Sequence, residues 1–117
     1  MLVDDQEAFM HALVAVVDTT PGFVVVGQAA TGEESLELAA ELRPGLVLLD
    51  VNLPGIDGIE VARRLRERSS PPVVILLSTH DEDAGELFVA QSGASAYVTK
   101  SAFGPELLAR TWWTSQG

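Results

Sequence analysis

Leu46-Val47-Leu48-Leu49-Asp50, followed by Val51-Asn52-Leu53-Pro54-Gly55-Ile56-Asp57-Gly58, decides the fold of this chain. Four apolar residues in a row show no alternation, so both faces of this strand are buried, as in a parallel sheet covered by helices. The run then ends on a carboxylate. Three further runs behave in the same way. Leu2-Val3 leads into Asp4-Asp5, Val73 to Leu77 leads into Ser78, and Ala96-Tyr97-Val98-Thr99 leads into Lys100. Helical segments lie between them, and this alternation predicts a doubly wound α/β fold. Ligands of such sheets bind just outside the carboxyl ends of the strands. Three carboxylates, a hydroxyl and an ammonium group are therefore expected at one sheet edge.

The punctuation between these runs sets the element boundaries. Strands are expected at roughly 1–4, 23–28, 46–50, 73–78 and 95–99. A first helix is expected at roughly 6–19, with Phe9, Leu13 and Val16 on one face and Pro21-Gly22 beyond its end. Thr31 and Glu34 have the spacing of a capping box, and Pro44 ends that second helix near Arg43. Asp57 and Glu60 open a third helix in the same way. A fourth helix, at roughly 82–91, has an acidic start and stops before Gly93. The fifth runs from about Pro105 to about Thr114, with proline tolerated in its first turn. The first strand is short for a central strand and the last helix stops near the end of the chain, so the ends read either as a trimmed domain or as tight boundaries.

The chain has 117 residues and suits one domain with one core. No apolar run approaches the length of a membrane span, and the start lacks the basic region of a signal peptide. There are no cysteines, which excludes disulfides and thiolate metal sites and fits a cytoplasmic protein. The formal charge of −10 opposes direct contact with a phosphate backbone. Arg63, Arg64, Arg66 and Arg68 fall in one segment that reads as the solvated face of a helix, with a small anion or partner patch as the sharper alternative.

Asp4, Asp5 and Asp50 repel one another unless a cation joins them. Mg²⁺ suits such a site, because it takes oxygen ligands, keeps several waters and uses one or two carboxylates. Capping of the first helix accounts for one of Asp4 and Asp5 but not for Asp50. Lys100 is the only lysine. On its own it reads as a snorkelling surface residue, but beside three carboxylates it pairs with one of them or with a bound anion. Ser78 lacks both a nucleophile elbow and a well-placed base, and reads as a hydroxyl that donates to a phosphoryl oxygen. His11 reads as incidental. No glycine-rich nucleotide fingerprint is present. Trp112-Trp113 reads as core and edge packing, with an exposed contact surface as the alternative.

Taken in order, Asp4-Asp5, Asp50 with Leu53-Pro54-Gly55-Ile56-Asp57-Gly58 behind it, Ser78, and Gly93-Ala94 leading to Tyr97 and Lys100 carry a resemblance. The chain resembles the receiver domain of two-component response regulators over its whole length, as a single domain without an effector domain. Ser78, Lys100-Ser101 and Gly93 to Tyr97 look most like the LuxR/NarL subfamily, whose members usually carry a C-terminal helix-turn-helix. The resemblance implies a flavodoxin-like, CheY-like sheet in the order 2-1-3-4-5 with helices on both faces. It implies that Asp50 accepts a phosphoryl group from a histidine kinase. Asp5, Asp50 and the Asn52 backbone carbonyl would hold Mg²⁺, with Asp4 acting indirectly. Ser78 and Lys100 would grip the phosphoryl oxygens, Tyr97 would be the switch aromatic, and Asn52 and His80 would tune dephosphorylation. The output face would be the fourth helix, fifth strand and fifth helix, controlling transcription through a DNA-binding domain. Homodimers through that face, or through the first and fifth helices, belong to the same expectation. Two features depart from the family pattern, the short first strand and Ser101 where many members have proline.

Two other functions compete. A metal-dependent phosphohydrolase with an aspartyl-phosphate intermediate usually needs a second Asp two residues after the nucleophile, where Asn52 stands. A receiver-like interaction module that is never phosphorylated would lack pocket residues that this chain retains. The favoured reading is a switch that is not an enzyme, beyond slow self-dephosphorylation.

Overall fold

The computed structural model describes residues 1–79 and 82–116. The elements run β1 (Leu2–Val3), α1 (Glu7–Asp18), β2 (Gln28–Ala29), α2 (Gly32–Leu42), β3 (Leu46–Asp50), α3 (Gly58–Arg66), β4 (Val73–Ser78), α4 (Glu82–Ser92), β5 (Ala96–Thr99) and α5 (Pro105–Gln116). All strand pairs are parallel, in the order β2-β1-β3-β4-β5. The chain starts at β1, steps to β2, then returns past β1 and continues outward. With right-handed crossovers this reversal puts α1 and α5 on one face and α2, α3 and α4 on the other.

Alternate residues of the central strands supply the two cores. Val3, Val47, Leu49, Val74 and Leu76 pack with Ala39, Val61, Ala62 and Leu65 of α2 and α3. Leu2, Leu48, Ile75, Leu77 and Val98 pack with Met10, Leu13 and Val17 of α1 and Leu108 of α5. Burial on both faces is why β3 and β4 read as unbroken apolar runs. Each fully buried leucine contributes about 2 kcal/mol through removal of apolar area from water. On α1 the innermost residues are Met10, Leu13 and Val17, while Phe9 and Val16 are half-buried at the edge of that face.

Helix starts follow the sequence closely. The Thr31 side chain accepts from Glu34 N–H at 3.1 Å, and Glu34 Oε1 accepts in return from Ala30 N–H. Asp57 accepts from Glu60 N–H at 3.0 Å. α2 ends at Arg43, whose φ of 47° closes the helix in the left-handed region just before Pro44. No helix among the described residues is long and apolar enough to cross a membrane.

The expected second strand at 23–28 is corrected to Gln28–Ala29. β1 pairs Leu2 with Gln28, so Val24 to Val26 lie opposite positions before Met1, where no described residue pairs with them. Val24 and Val26 are accordingly 74% and 48% exposed. Phe23 meets Trp112 of α5 edge-on, with ring centroids 6.0 Å apart, whereas Trp113 is 73% exposed. The arginine segment is mainly a solvated helix face, as expected. Arg63 and Arg64 pair with Glu60, and Arg63 Nε also donates to Gln91 O of α4. Arg68 is the exception, half-buried with a bond to Leu36 O at 3.0 Å.

Candidate functional site

The order in which strands are added reverses at β1, so the carboxyl ends of β1 and β3 flank the crevice where such folds bind ligands. Asp4 follows β1, Asp50 ends β3, Ser78 ends β4 and Lys100 follows β5. The last two are tied together, because Lys100 N–H donates to Ser78 O at 2.8 Å. α3 is drawn tight against the end of β3. Gly58 N–H donates to Val51 O at 2.9 Å, and a Cβ at Gly58 would collide with Asp50 O and lie 2.8 Å from Val51 Cα. Only glycine allows that approach, and it fixes the backbone on either side of Asp50.

One carboxylate oxygen from each of Asp4, Asp5 and Asp50 falls within 4.8 Å of the others. Asp4 and Asp50 are buried and Asp5 is exposed at the mouth. The Lys100 ammonium lies 2.8 Å from Asp4 Oδ2 and 3.4 Å from Asp50 Oδ2, with its side chain only 9% exposed. The other oxygens meet the backbone, with Asp4 Oδ1 accepting from Gln6 N–H at 2.8 Å and Asp50 Oδ1 from Asn52 N–H at 3.1 Å. Asp4 Oδ2 has its ion pair but no hydrogen bond from any described residue, since the ammonium lies off the line such a bond requires. A buried, charged oxygen without a hydrogen-bond donor, beside two further carboxylates, fits a hard divalent cation. The donor set is all oxygen and suits Mg²⁺.

Burial raises the Asp50 pKa above its ordinary value. The Asn52 N–H opposes that shift, the charge of Asp4 adds to it, and Lys100 opposes it. An acid whose folded pKa is raised binds its proton more tightly in the fold than in the unfolded chain. Its ionisation therefore costs nothing below the unfolded pKa of about 4, and costs stability increasingly as pH rises through the folded value. Asp50→Asn removes that charge at nearly constant shape. The variant is expected to melt a few degrees above the parent at neutral pH in EDTA, with the gain vanishing as pH falls toward 4. Thermal melts across that range check it, and a variant that melts lower than the parent at pH 7 contradicts it.

The structure thus brings Asp4, Asp5, Asp50 and Lys100 together, with Ser78 buried on the neighbouring strand end and Asn52 exposed on the loop beyond. Tyr97 lies apart from them, against α4, with its ring 5.8 Å from that of Phe88. His80 falls outside the described residues. His11 is exposed, as an incidental residue should be.

Three contributors escaped the reading of the sequence. Gln6 Oε1 accepts from Lys100 Nζ at 3.0 Å, and the Phe9 ring lies under the same ammonium at 4.5 Å. Together they add a hydrogen-bond acceptor and an aromatic face to the partners of the Lys100 ammonium. The third is Glu33, whose Oε1 accepts from Ile56 N–H at 2.8 Å and pins the β3–α3 loop to the start of α2. Gly55, at φ 73°, leaves room for that carboxylate. The only sequence signal for these was position: a polar residue and an aromatic in the first turn after Asp5, and an acidic residue at a helix start.

Residues 1–111 match the family model described as the response regulator receiver domain. The Positive alginate biosynthesis regulatory protein of Pseudomonas aeruginosa is 43% identical over 101 residues, which is 86% of this chain and 40% of that protein. The nitrate/nitrite response regulator protein NarL of Escherichia coli is 36% identical over 110 residues, 92% of this chain and 50% of that protein. The chain therefore spans about half the length of the curated relatives it matches. A LuxR-family two-component response regulator from Aurantimonas superposes with a TM-score of 0.88 at 33% identity, covering 100% of this chain and 84% of that one. With the sheet order, the acidic cluster and these likenesses in agreement, the chain belongs to the receiver domain family of response regulators, among relatives of the LuxR/NarL kind.

Proposed function

We propose that residues 1–117 act as one phospho-accepting switch domain and that Asp50 is the acceptor. The observation that carries this reading is the convergence of three carboxylates within 4.8 Å, with the half-buried Lys100 paired to both Asp4 and Asp50. A carboxylate oxygen of Asp50 forms a bond to phosphorus as the bond to a histidine nitrogen of the partner kinase breaks. Such a transfer needs positioning and charge neutralisation more than covalent chemistry from the protein. The Asn52 N–H and Lys100 hold the two Asp50 oxygens in place. Asp5, Asp50 and the Asn52 backbone carbonyl would hold Mg²⁺, with Asp4 in support. When bound, the ion neutralises charge on the phosphoryl oxygens.

The product adds roughly −1.5 to −2 charge at neutral pH. Lys100 and the Ser78 hydroxyl gain contacts with it that the unmodified carboxylate does not offer, and such a difference in contacts shifts a two-state equilibrium. Tyr97 would carry the change to the face made by α4, β5 and α5. Asn52 and His80 would set the lifetime of the phosphoryl group. The same reading includes a cytoplasmic sensor histidine kinase as partner, an output through transcription, and homodimers through α4, β5 and α5 or through α1 and α5; the likeness to NarL-type response regulators supports the first two. The domain turns over no substrate beyond slow loss of its own phosphoryl group.

The test is phosphoryl uptake from acetyl phosphate with Mg²⁺ by wild type and Asp50→Ala. Wild type is expected to take up one group and the variant none. Uptake by Asp50→Ala at wild-type stoichiometry would remove Asp50 from this role.

A further inference from the structure

Gly85 sits near the start of α4, where its absence of a side chain needs a reason. Glycine is the least favourable residue in a helix after proline, and this one is buried rather than exposed. The reason lies across the α4–β5 contact. An ideal Cβ on Gly85 would collide with Tyr97 Cδ1, and would lie 2.7 Å from Tyr97 Cγ and 2.9 Å from Cε1. The collision is with the root of the ring, so no small turn of the ring tip relieves it. The same ring packs on Phe88, one helical turn further along α4. It also lines a groove of about 630 Å³ between α4 and α5, together with Glu86, Val89 and Leu107.

We infer that Gly85 is a positioning residue: it forms the seat for the Tyr97 ring on α4 and thereby sets the equilibrium of the switch. This rests on the reading of Asp50 as the phosphoryl acceptor and of Tyr97 as the aromatic that answers it. A local choice that disfavours the helix, kept where a functional side chain docks, is the pattern expected when a site overrides propensity. The two arrangements of the domain differ in whether the ring occupies this seat. Filling the seat with a methyl group therefore shifts their ratio without touching Asp50, Lys100 or Ser78.

The chain has one tyrosine, so 3-fluorotyrosine gives a single ¹⁹F resonance that reports only on Tyr97. Gly85→Ala is expected to move that resonance in the unmodified protein. It is also expected to change the affinity for beryllofluoride with Mg²⁺, a phosphoryl mimic, by about threefold or more. Tighter binding assigns the seat to the unmodified state and weaker binding assigns it to the phosphorylated state. Equal affinity overturns the inference, whether or not the resonance moves.

A melting cycle with Tyr97→Ala separates positioning from a simple packing defect. Gly85→Ala should lower the melting temperature when Tyr97 is present. It should raise it in the Tyr97→Ala background, where the clash is gone and alanine's helix preference remains. The same change in both backgrounds overturns the seat. So does a Gly85→Ala/Tyr97→Ala protein that fails to fold while Tyr97→Ala folds. If beryllofluoride binds wild type but leaves its resonance in place, the switching role of Tyr97 fails, and the melting cycle alone decides the seat.

Discussion

Lys100→Met is expected to destabilise the domain by about 3 kcal/mol, because it removes one partner from a buried ionic cluster and leaves the others uncompensated. The side chains of Asp4 and Asp50 are 0% and 4% exposed, and Lys100 is the cation that reaches both. Methionine keeps most of the unbranched apolar stem but supplies neither the charge nor the ammonium contact with Phe9, so the loss is mainly electrostatic rather than a packing defect. For a domain of this size the melting temperature should fall by roughly 10–20 °C in EDTA at neutral pH. Two dependences identify the cause. The deficit should shrink as pH falls into the carboxylate range, where protonation removes the repelling charges. It should also shrink with millimolar Mg²⁺, whose binding to the native cluster stabilises the fold by mass action. A Lys100→Met protein as stable as wild type contradicts this view of the site.

Asp5→Asn should do the opposite, changing function and leaving stability alone. Asp5 is exposed, and among the described residues no buried group pairs with it. Its substitution should shift the melting temperature by no more than a degree or two, as at an ordinary surface site. It does remove one of the three carboxylates that converge within 4.8 Å. Mg²⁺ affinity by calorimetry should fall by roughly 10–100-fold, and the initial rate of phosphoryl uptake at limiting Mg²⁺ should fall with it. Wild-type Mg²⁺ affinity in Asp5→Asn would take Asp5 out of the ligand set.

The site also marks how far the sequence could be read. Asp50 and Lys100 were legible because each terminates an apolar run, and burial on both faces of a parallel strand leaves that signature whatever surrounds it. The ends of β3 and β4 and the caps at Thr31 and Asp57 were legible for a similarly local reason, since a run or a three-residue spacing carries them. What stayed hidden depends on contacts through space. Gln6, Phe9 and Glu33 belong to no pattern, and each matters because of a partner that the fold delivers from 94, 91 and 23 residues away. Gly85 likewise carries no signal in the sequence, because its role depends on Tyr97 packing against it. The second strand failed differently. Phe23-Val24-Val25-Val26 has strong strand character, but a ladder needs a neighbour, and the register of β1 supplies one only from Gly27 onward.

The burial of Asp50 bears on the chemistry as well as on stability. Burial disfavours the ionised carboxylate that phosphoryl transfer needs and the Asp4 charge adds to this, while the Asn52 N–H and Lys100 favour it.

The most direct measurement is intact mass after incubation with acetyl phosphate and Mg²⁺, with a parallel sample in EDTA, followed by peptide mapping of the adduct. The account predicts one phosphoryl group per chain, dependent on Mg²⁺ and located on Asp50. A folded protein that gains no phosphoryl group with Mg²⁺ present, or gains it on another residue, contradicts the account.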